Sequence, residues 1–152
     1  MSKLISYLSG IIDGEGSIMI RKAYNRKGCV NPTYSPRISL KMNNEIIPRL
    51  LKQIFGGNYY KCKQIYQSRS GFKYNSIMHC YNVEHKKAFS LVHKIMPYII
   101  VKKEQAKLVL QLQNLKKHTD REGRNGKSGG IPYSKEYINK LEYLWLQNKY
   151  LN

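Results

Sequence analysis

The N-terminal 24 residues change from helical to strand periodicity across one short stretch, DGEG at residues 13–16. Over residues 3–13, apolar side chains recur at the i, i+3, i+4 and i+7 spacing that is typical of a helix with one buried face. Residues 17–24 alternate instead, with Ile18 and Ile20 on one side, which is typical of a half-buried strand. The chain is therefore predicted to begin with a helix that leads through glycines directly into a strand.

The same criteria assign elements to the rest of the chain. They predict strands at 36–43, 58–67 and 74–83 and further helices at 45–55, 85–96, 103–115 and 135–148. Residues 116–132 are charged, rich in glycine and without periodicity, which predicts a surface loop. This loop could clamp DNA phosphates or serve only as a linker. By length we expect one domain over residues 1–152, with its core at about 3–115.

The order of these elements predicts the fold class. A helix, a hairpin, a helix, a second hairpin and a third helix are followed by C-terminal helices. We expect an α+β fold, αββαββα, in which a four-stranded antiparallel sheet carries the helices on one face. The other face would be open and basic, since an antiparallel sheet tolerates one solvated face.

The charge of the chain indicates a polyanionic partner. It contains 27 lysines and arginines against 9 acids, a net charge of +18. Twelve of the basic residues lie between residues 16 and 75, where Glu45 is the single acid. A compact domain with this charge repels itself unless a polyanion lies against it. We expect nucleic acid, because each neutralised phosphate releases condensed counterions.

The composition also suggests where the protein works. No apolar run approaches the ~20 residues of a membrane span, and the N-terminus does not resemble a secretory signal. We therefore expect an intracellular protein without a membrane partner. Plentiful Lys, Asn, Ile and Tyr suggest an A+T-rich genome, such as that of a chloroplast, a mitochondrion, a phage or its bacterial host.

The acids of the DGEG stretch have a chemical interpretation in this setting. A carboxylate at the end of a helix, beside phosphate-binding side chains, can hold Mg²⁺, which often takes one or two carboxylates together with substrate phosphates. Such a cation activates water and neutralises charge on a departing oxygen. Flanking glycines let the backbone approach a phosphate closely.

On these residues the chain resembles the LAGLIDADG homing endonucleases. LSGIIDGEG, Leu8 to Gly16, stands in place of the nine-residue signature of that family. Ser9 replaces the usual alanine, and Glu15 replaces the commoner aspartate. The resemblance covers about residues 3–115. It implies a site-specific DNA endonuclease that uses Mg²⁺, or another divalent cation such as Mn²⁺, to hydrolyse both strands, and that is typically intron-encoded.

The resemblance also implies catalytic roles. Glu15 would be the direct metal ligand, with the Gly14 carbonyl beside it, while Asp13 closes the helix and contacts metal only indirectly. Lys102, with Lys103 as the alternative, matches the basic residue that tunes the nucleophilic water. The polar residue that organises solvent would be one of three neighbours: Asn43, Asn44 or Glu45.

The resemblance further implies two contact surfaces. Only one signature is present, so a homodimer on a near-palindromic target is expected. Its interface would be the signature helix, packed through small residues, with Leu8, Ser9, Gly10 and Ile12. The positions expected to contact DNA in the major groove are Met19, Arg21, Arg37, Ser39, Lys41, Asn43, Lys61 and Lys63.

Two other functions fit part of this pattern. An intron RNA-splicing maturase could keep the fold and bind nucleic acid without cutting, although the presence of both acids favours the enzyme. A basic ribosome-type structural protein would explain the charge, but it gives no reason for DGEG after an apolar helix.

Overall fold

The structure, a computed structural model, describes residues 2–24, 31–67, 71, 73–119 and 134–152. It contains five helices and four strands in these residues. In chain order they are α1 (Ser2–Glu15), β1 (Ser17–Ala23), β2 (Thr33–Met42), α2 (Ile46–Phe55), β3 (Asn58–Gln67), β4 (Lys73–Glu84), α3 (His85–Ile95), α4 (Lys103–Thr119) and α5 (Lys135–Tyr150). The predicted α+β class and the αββαββα order are confirmed.

The four strands form one antiparallel sheet in the order β1-β2-β4-β3. Because side chains alternate along a strand, the register divides the sheet into two faces. One face carries Ile18, Ile38 and Tyr81, which are at most 1% exposed. The other carries Arg37 and Ser39, and we call it the open face. The sheet therefore has a covered face for the core and an open face for a partner.

The helices cover the apolar face of the sheet. Helix α1 packs on α3 and β2, α3 packs on β2, β4 and α4, and α4 packs on β1. The core between them is aliphatic, and burial of such side chains is the main favourable term in folding. Its fully buried members include Leu8, Ile12, Leu51, Leu91, Val92, Ile95, Ala106, Val109 and Leu112.

Helix α5 lies along β1, the edge strand of the sheet. Asn148, 1% exposed, accepts a hydrogen bond from Ile20 N at 2.8 Å and donates to Ile18 O at 3.4 Å. The side-chain amide thus forms hydrogen bonds with the backbone of β1 that a neighbouring strand would otherwise form. An unpaired strand edge can pair with another chain, so α5 shields this edge by side-chain pairing.

Several predicted boundaries shift by a few residues. Helix α1 continues to Glu15, so Gly14 and Glu15 lie in its last turn and not beyond it. Strand β2 begins at Thr33, and α4 continues to Thr119. The first four residues of the predicted loop 116–132 are therefore helical, and residues 120–132 lie outside the described residues.

Two helix ends carry capping residues. Ser134 accepts a hydrogen bond from Tyr137 N at 3.2 Å and caps α5. Helix α2 ends at Gly56, whose φ of 72° is left-handed. None of the helices in the described part of the chain has the length and apolar character needed to span a membrane.

Candidate functional site

Glu15 stands where α1 meets the sheet. The helix ends with Gly16 N donating to Ile12 O at 3.0 Å, and β1 begins at Ser17. A Cβ atom at Gly16 would lie 2.7 Å from Ile12 O, which is too close, so only glycine allows the chain to leave the helix here. This tight exit fixes Glu15 at the junction of α1 and β1.

The Glu15 side chain is exposed and lines a cleft on the open face. No hydrogen bond or ion pair to this carboxylate is formed within the described residues, so it is available to an external ligand. The cleft is basic and polar, since Glu15 shares it with Ser17, Arg37, Ser39, Leu40, Lys41, Tyr60, Cys80 and Asn82.

Asp13, in contrast, is buried and fully engaged. Its Oδ2 accepts hydrogen bonds from Ile100 N at 2.8 Å and Val101 N at 2.9 Å, and its Oδ1 accepts from Lys102 N at 2.7 Å. Burial alone would raise the pKa of this carboxyl, but the three backbone N–H groups and the Lys102 charge hold the pKa below its ordinary value. Asp13 is thus a fixed anion that attaches the segment before α4 to the end of α1.

The Lys102 ammonium lies against the same helix end. Its Nζ donates to Asp13 O and, at 3.2 Å, to Gly14 O. The structure therefore brings Asp13, Gly14 and Lys102 into contact next to Glu15 in the chain. Lys103, the alternative basic residue, is exposed and is the first residue of α4.

The donor set at this helix end suits a hard divalent cation. Glu15 offers a free carboxylate and Gly14 a backbone carbonyl, and both are oxygen ligands. No group of three or more His, Cys, Asp and Glu side chains that could hold a metal forms in the described part of the chain. A cation held here would complete its shell with water and phosphate oxygens, as Mg²⁺ usually does.

Five predicted DNA-contact residues lie on the open face. They alternate with the buried Ile18, Ile20, Ile38 and Leu40, and their strands pair Met19 with Arg37 and Ser17 with Ser39. They are Met19, Arg21, Arg37, Ser39 and Lys41. The cleft at Glu15 is continuous with this face, because it includes three of them.

The family of the chain follows from its sequence over most of its length. Residues 8–119 match the LAGLIDADG endonuclease family. The chain belongs to the LAGLIDADG endonuclease family. It is thus an endonuclease by family, and its match includes Glu15 and Lys102.

Solved structures share the fold of this LAGLIDADG endonuclease. The homing endonuclease I-CvuI, in complex with its target, has a TM-score of 0.70 at 17% identity, with 99% of this chain and 83% of that chain covered. Archaeal intron-encoded I-Vdi141I, complexed with DNA, has a TM-score of 0.69 at 16% identity, covering 99% and 84%. I-GzeII, a LAGLIDADG homing endonuclease in complex with a DNA target, has a TM-score of 0.59 at 18% identity, covering 95% and 43%. No curated protein matches the sequence significantly.

Two residues that were predicted to contact DNA in this LAGLIDADG endonuclease, Lys61 and Lys63, do not lie on the open face. In the register of β3 and β4, Lys61 lies opposite His79 and Lys63 opposite Ile77, on the helix side of the sheet. Both lysines are exposed there. The prediction took basic character as the mark of the open face, but lysines also occupy the helix side where that side reaches solvent.

The residues of β3 and β4 that do occupy the open face were missed. Tyr60 lies opposite Cys80, and its hydroxyl is 2.9 Å from the Asn82 side chain. Gln64 Oε1 accepts a hydrogen bond from Lys41 Nζ, which joins β3 to the predicted contact face. Tyr59 lies opposite the buried Tyr81, and this pairing decides which side chains of β3 face the helices and which lie on the open face. The pairing cannot be predicted from the sequence alone.

The three solvent-organising alternatives have separate surroundings. Asn44 Oδ1 accepts from Ile46 N at 2.8 Å and caps α2. Glu45 binds Arg49 Nε at 3.0 Å, and Asn43 lies just after β2, 3.4 Å from the Ser76 hydroxyl. None of the three lines the cleft at Glu15, where β2 contributes the basic residues Arg37 and Lys41.

The predicted dimer-contact residues need a correction. Leu8, Ser9 and Ile12 are 0% exposed within the chain itself, and Ser9 Oγ donates to Ile5 O at 2.6 Å. They pack against the chain's own core and offer no surface to a second copy. Of the four predicted residues, only Gly10 is exposed. The exposed residues of α1 include Leu4, Tyr7, Gly10 and Gly14.

Proposed function

We propose that this chain is a divalent-cation-dependent homing endonuclease that cuts both strands of a long, near-palindromic DNA target as a homodimer. The observation that carries the proposal is the free Glu15 carboxylate, placed at the edge of a basic open face and beside the Gly14 carbonyl and the Lys102 ammonium. This arrangement joins a cation-binding oxygen set to a phosphate-binding surface.

The chemistry of the site follows from its residues. Glu15 and the Gly14 carbonyl would hold Mg²⁺ or Mn²⁺, which when bound supplies a polarised water and neutralises charge on the departing 3′ oxygen. Lys102 places a positive charge at the same helix end, where it favours an anionic phosphate and a hydroxide. Asp13 holds the backbone of residues 100–102, so that the Lys102 side chain keeps its position.

The open face supports double-stranded DNA as the substrate. Arg21, Arg37 and Lys41 project from adjacent strands of a sheet that none of the five described helices covers on this side. Such a sheet fits the major groove, where arginine and lysine pair with guanine. I-CvuI and I-Vdi141I, which share the fold, are each bound to DNA.

The exposed side of α1 supports the homodimer. A Cβ atom at Gly10 or Gly14 would meet nothing within 4 Å in this chain, so the chain's own packing does not explain either glycine. Tyr7, 58% exposed, lies on the same side. Small residues allow a second helix to approach closely. The fold spans 43% of I-GzeII, so two copies approximate the length of that protein. Each copy would supply one Glu15, and so one cut.

The test replaces the Glu15 carboxylate with an amide. We expect Glu15→Gln to lower the rate of cleavage by about 100-fold or more, because the amide is a poor cation ligand, while DNA binding persists. The substrate is a random DNA library, from which cleaved molecules are selected with Mg²⁺ and compared with EDTA. Glu136→Gln, on exposed α5, is the matched control and should cut normally.

Two results would contradict the proposal. Cleavage by Glu15→Gln at the wild-type rate would exclude Glu15 as the metal ligand. Binding of structured intron RNA without any DNA cleavage by the wild-type protein would favour the maturase instead.

A further inference from the structure

Glu84 is an acid on a face that otherwise attracts phosphate. It is the last residue of β4 and the only acidic residue among the strand residues of the sheet. Its register partner on β2 is Arg37, so it belongs to the open face. A carboxylate here repels the DNA backbone, and this cost calls for a compensating role.

The contacts of Glu84 join two predicted DNA-contact residues. Its Oε1 lies 3.4 Å from Arg21 Nη1 and 3.6 Å from Arg37 Nε. One carboxylate oxygen is thus shared by guanidinium groups from β1 and β2. The Glu84 side chain is 26% exposed, which is less than either arginine.

Arg37 is restrained at two places on its guanidinium. Its Nε is buried and has no hydrogen-bond partner in the described residues, so the charge of Glu84 is its nearest restraint. With the Asn82 side-chain amide turned so that its oxygen faces the neighbouring donors, this oxygen accepts a hydrogen bond from Arg37 Nη2 at 3.1 Å. Two fixed neighbours leave this side chain few orientations, unlike a solvated arginine.

The backbone at Glu84 is also costly to maintain. The next residue, His85, has a φ of 56°, a left-handed conformation that is uncommon for a residue with a side chain. Strained residues persist where the surrounding structure requires them, and they concentrate at functional sites. The strain lies at the point where β4 turns into α3 and Glu84 reaches the two arginines.

A stabilising role does not account for Glu84, because exposed ion pairs contribute little to stability. Orientation does account for it. A guanidinium reads guanine through two parallel hydrogen bonds to O6 and N7, and this requires a fixed plane. A free arginine binds the nearest phosphate, and phosphate contacts carry no sequence information.

We infer that Glu84 is a positioning residue for sequence recognition, which holds Arg21 and Arg37 so that they read base edges and not phosphates. This inference rests on the DNA-binding part of the proposed function and is independent of cleavage. It predicts that the charge of Glu84 contributes to specificity at the expense of total affinity.

The experiment is a binding selection from a random DNA library in the Glu15→Gln background, so that cutting does not deplete the pool. When Glu84→Gln is added, we expect the preference for one base over the other three to fall by about tenfold or more, relative to the Glu15→Gln parent, at the positions read by the two arginines. Binding to unrelated DNA should tighten at low salt, because a repulsive charge is removed. Glu84→Asp should restore part of the preference, and Glu136→Gln should leave it unchanged.

Arg21→Gln and Arg37→Gln provide a second measurement that does not depend on the folding of Glu84→Gln. Together they should weaken preference at the same base positions as Glu84→Gln, in both half-sites of a palindrome. The inference is overturned if Glu84→Gln selects the same bases as strongly as its parent, if Glu136→Gln has an equal effect, or if the arginine variants change other positions. A protein that binds selectively but never cuts would overturn only the proposed function, whereas one that binds no DNA would overturn both.

Discussion

Asp13 and Glu15 are two residues apart but have opposite environments. Asp13 is 8% exposed and accepts three backbone hydrogen bonds, whereas Glu15 is exposed and lines the cleft on the open face. The helical turn separates them, so one acid faces the interior and the other faces outward. The sequence identified both acids, and it also suggested that Asp13 closes the helix. It did not identify Asp13's partners, which lie 87 to 89 residues away.

We expect Asp13→Asn to destabilise the fold by about 2–3 kcal/mol at neutral pH, because an amide cannot accept all three hydrogen bonds. Urea unfolding monitored by circular dichroism would measure this difference. The folded-state pKa of Asp13 lies below its ordinary 3.8. Its ionised form therefore contributes stability above about pH 4, and this contribution is lost as the pH falls further. The difference in the free energy of unfolding between wild type and Asp13→Asn should therefore become smaller below pH 4. A difference that stays constant with pH would contradict this explanation.

Helix α5 was predicted from its apolar period, but the strand that it packs against could not be predicted. The link between α5 and β1 depends on Asn148, which lies 128 residues from Ile20. A polar residue near the end of an amphipathic helix gives no sign in the sequence that it will be buried against a strand edge. In β3 the sequence predicted the wrong face. Lys61 and Lys63 have the charge expected of the open face, but the alternation of side chains along β3 places them on the helix side of the sheet. The local hydrophobic pattern thus predicted the helices and strands. Which side chains of a strand lie on which face of the sheet depends on pairing between distant strands.

We expect Asn148→Ala to destabilise the fold by about 1–3 kcal/mol, because it leaves the buried N–H of Ile20 without a partner. Asn139→Ala, at an exposed position on the same helix, is the matched control and should change stability little. Equilibrium unfolding in urea compares the two variants. If the two variants were equally stable, the hydrogen bonds of Asn148 to β1 would not contribute to the stability of the fold.

The exposed side of α1 connects the single chain to the proposed assembly. The small residues of α1 predict it as the helix of the dimer contact, and this stays a prediction. Most of the residues named for that contact lie on the other side of α1, because Leu8 and Ile12 are apolar in either environment and only their 0% exposure assigns them to the core. The glycines Gly10 and Gly14, whose Cβ positions open to solvent, distinguish the two sides.

We expect Gly10→Leu to produce a folded monomer that cuts at most one strand. A Cβ atom at this exposed position meets nothing within 4 Å in its own chain, and leucine favours a helix more than glycine does, so thermal unfolding should not fall. Sedimentation velocity gives the oligomeric state, and a supercoiled plasmid carrying a selected target separates nicking from double-strand cleavage. Ser90→Leu, exposed on α3, is the control. A variant that stays dimeric would place the interface elsewhere.

The attachment of Asp13 to residues 100–102 has a consequence for the nascent protein. Glu15 and its helix are synthesised before Lys102, and the contact that brings Lys102 to the Gly14 carbonyl spans 88 residues of chain. An emerging or truncated polypeptide that ends before Lys102 carries the acidic motif without the lysine. If Glu15 and Lys102 act together as proposed, DNA cleavage is therefore limited to molecules that have completed this long-range contact.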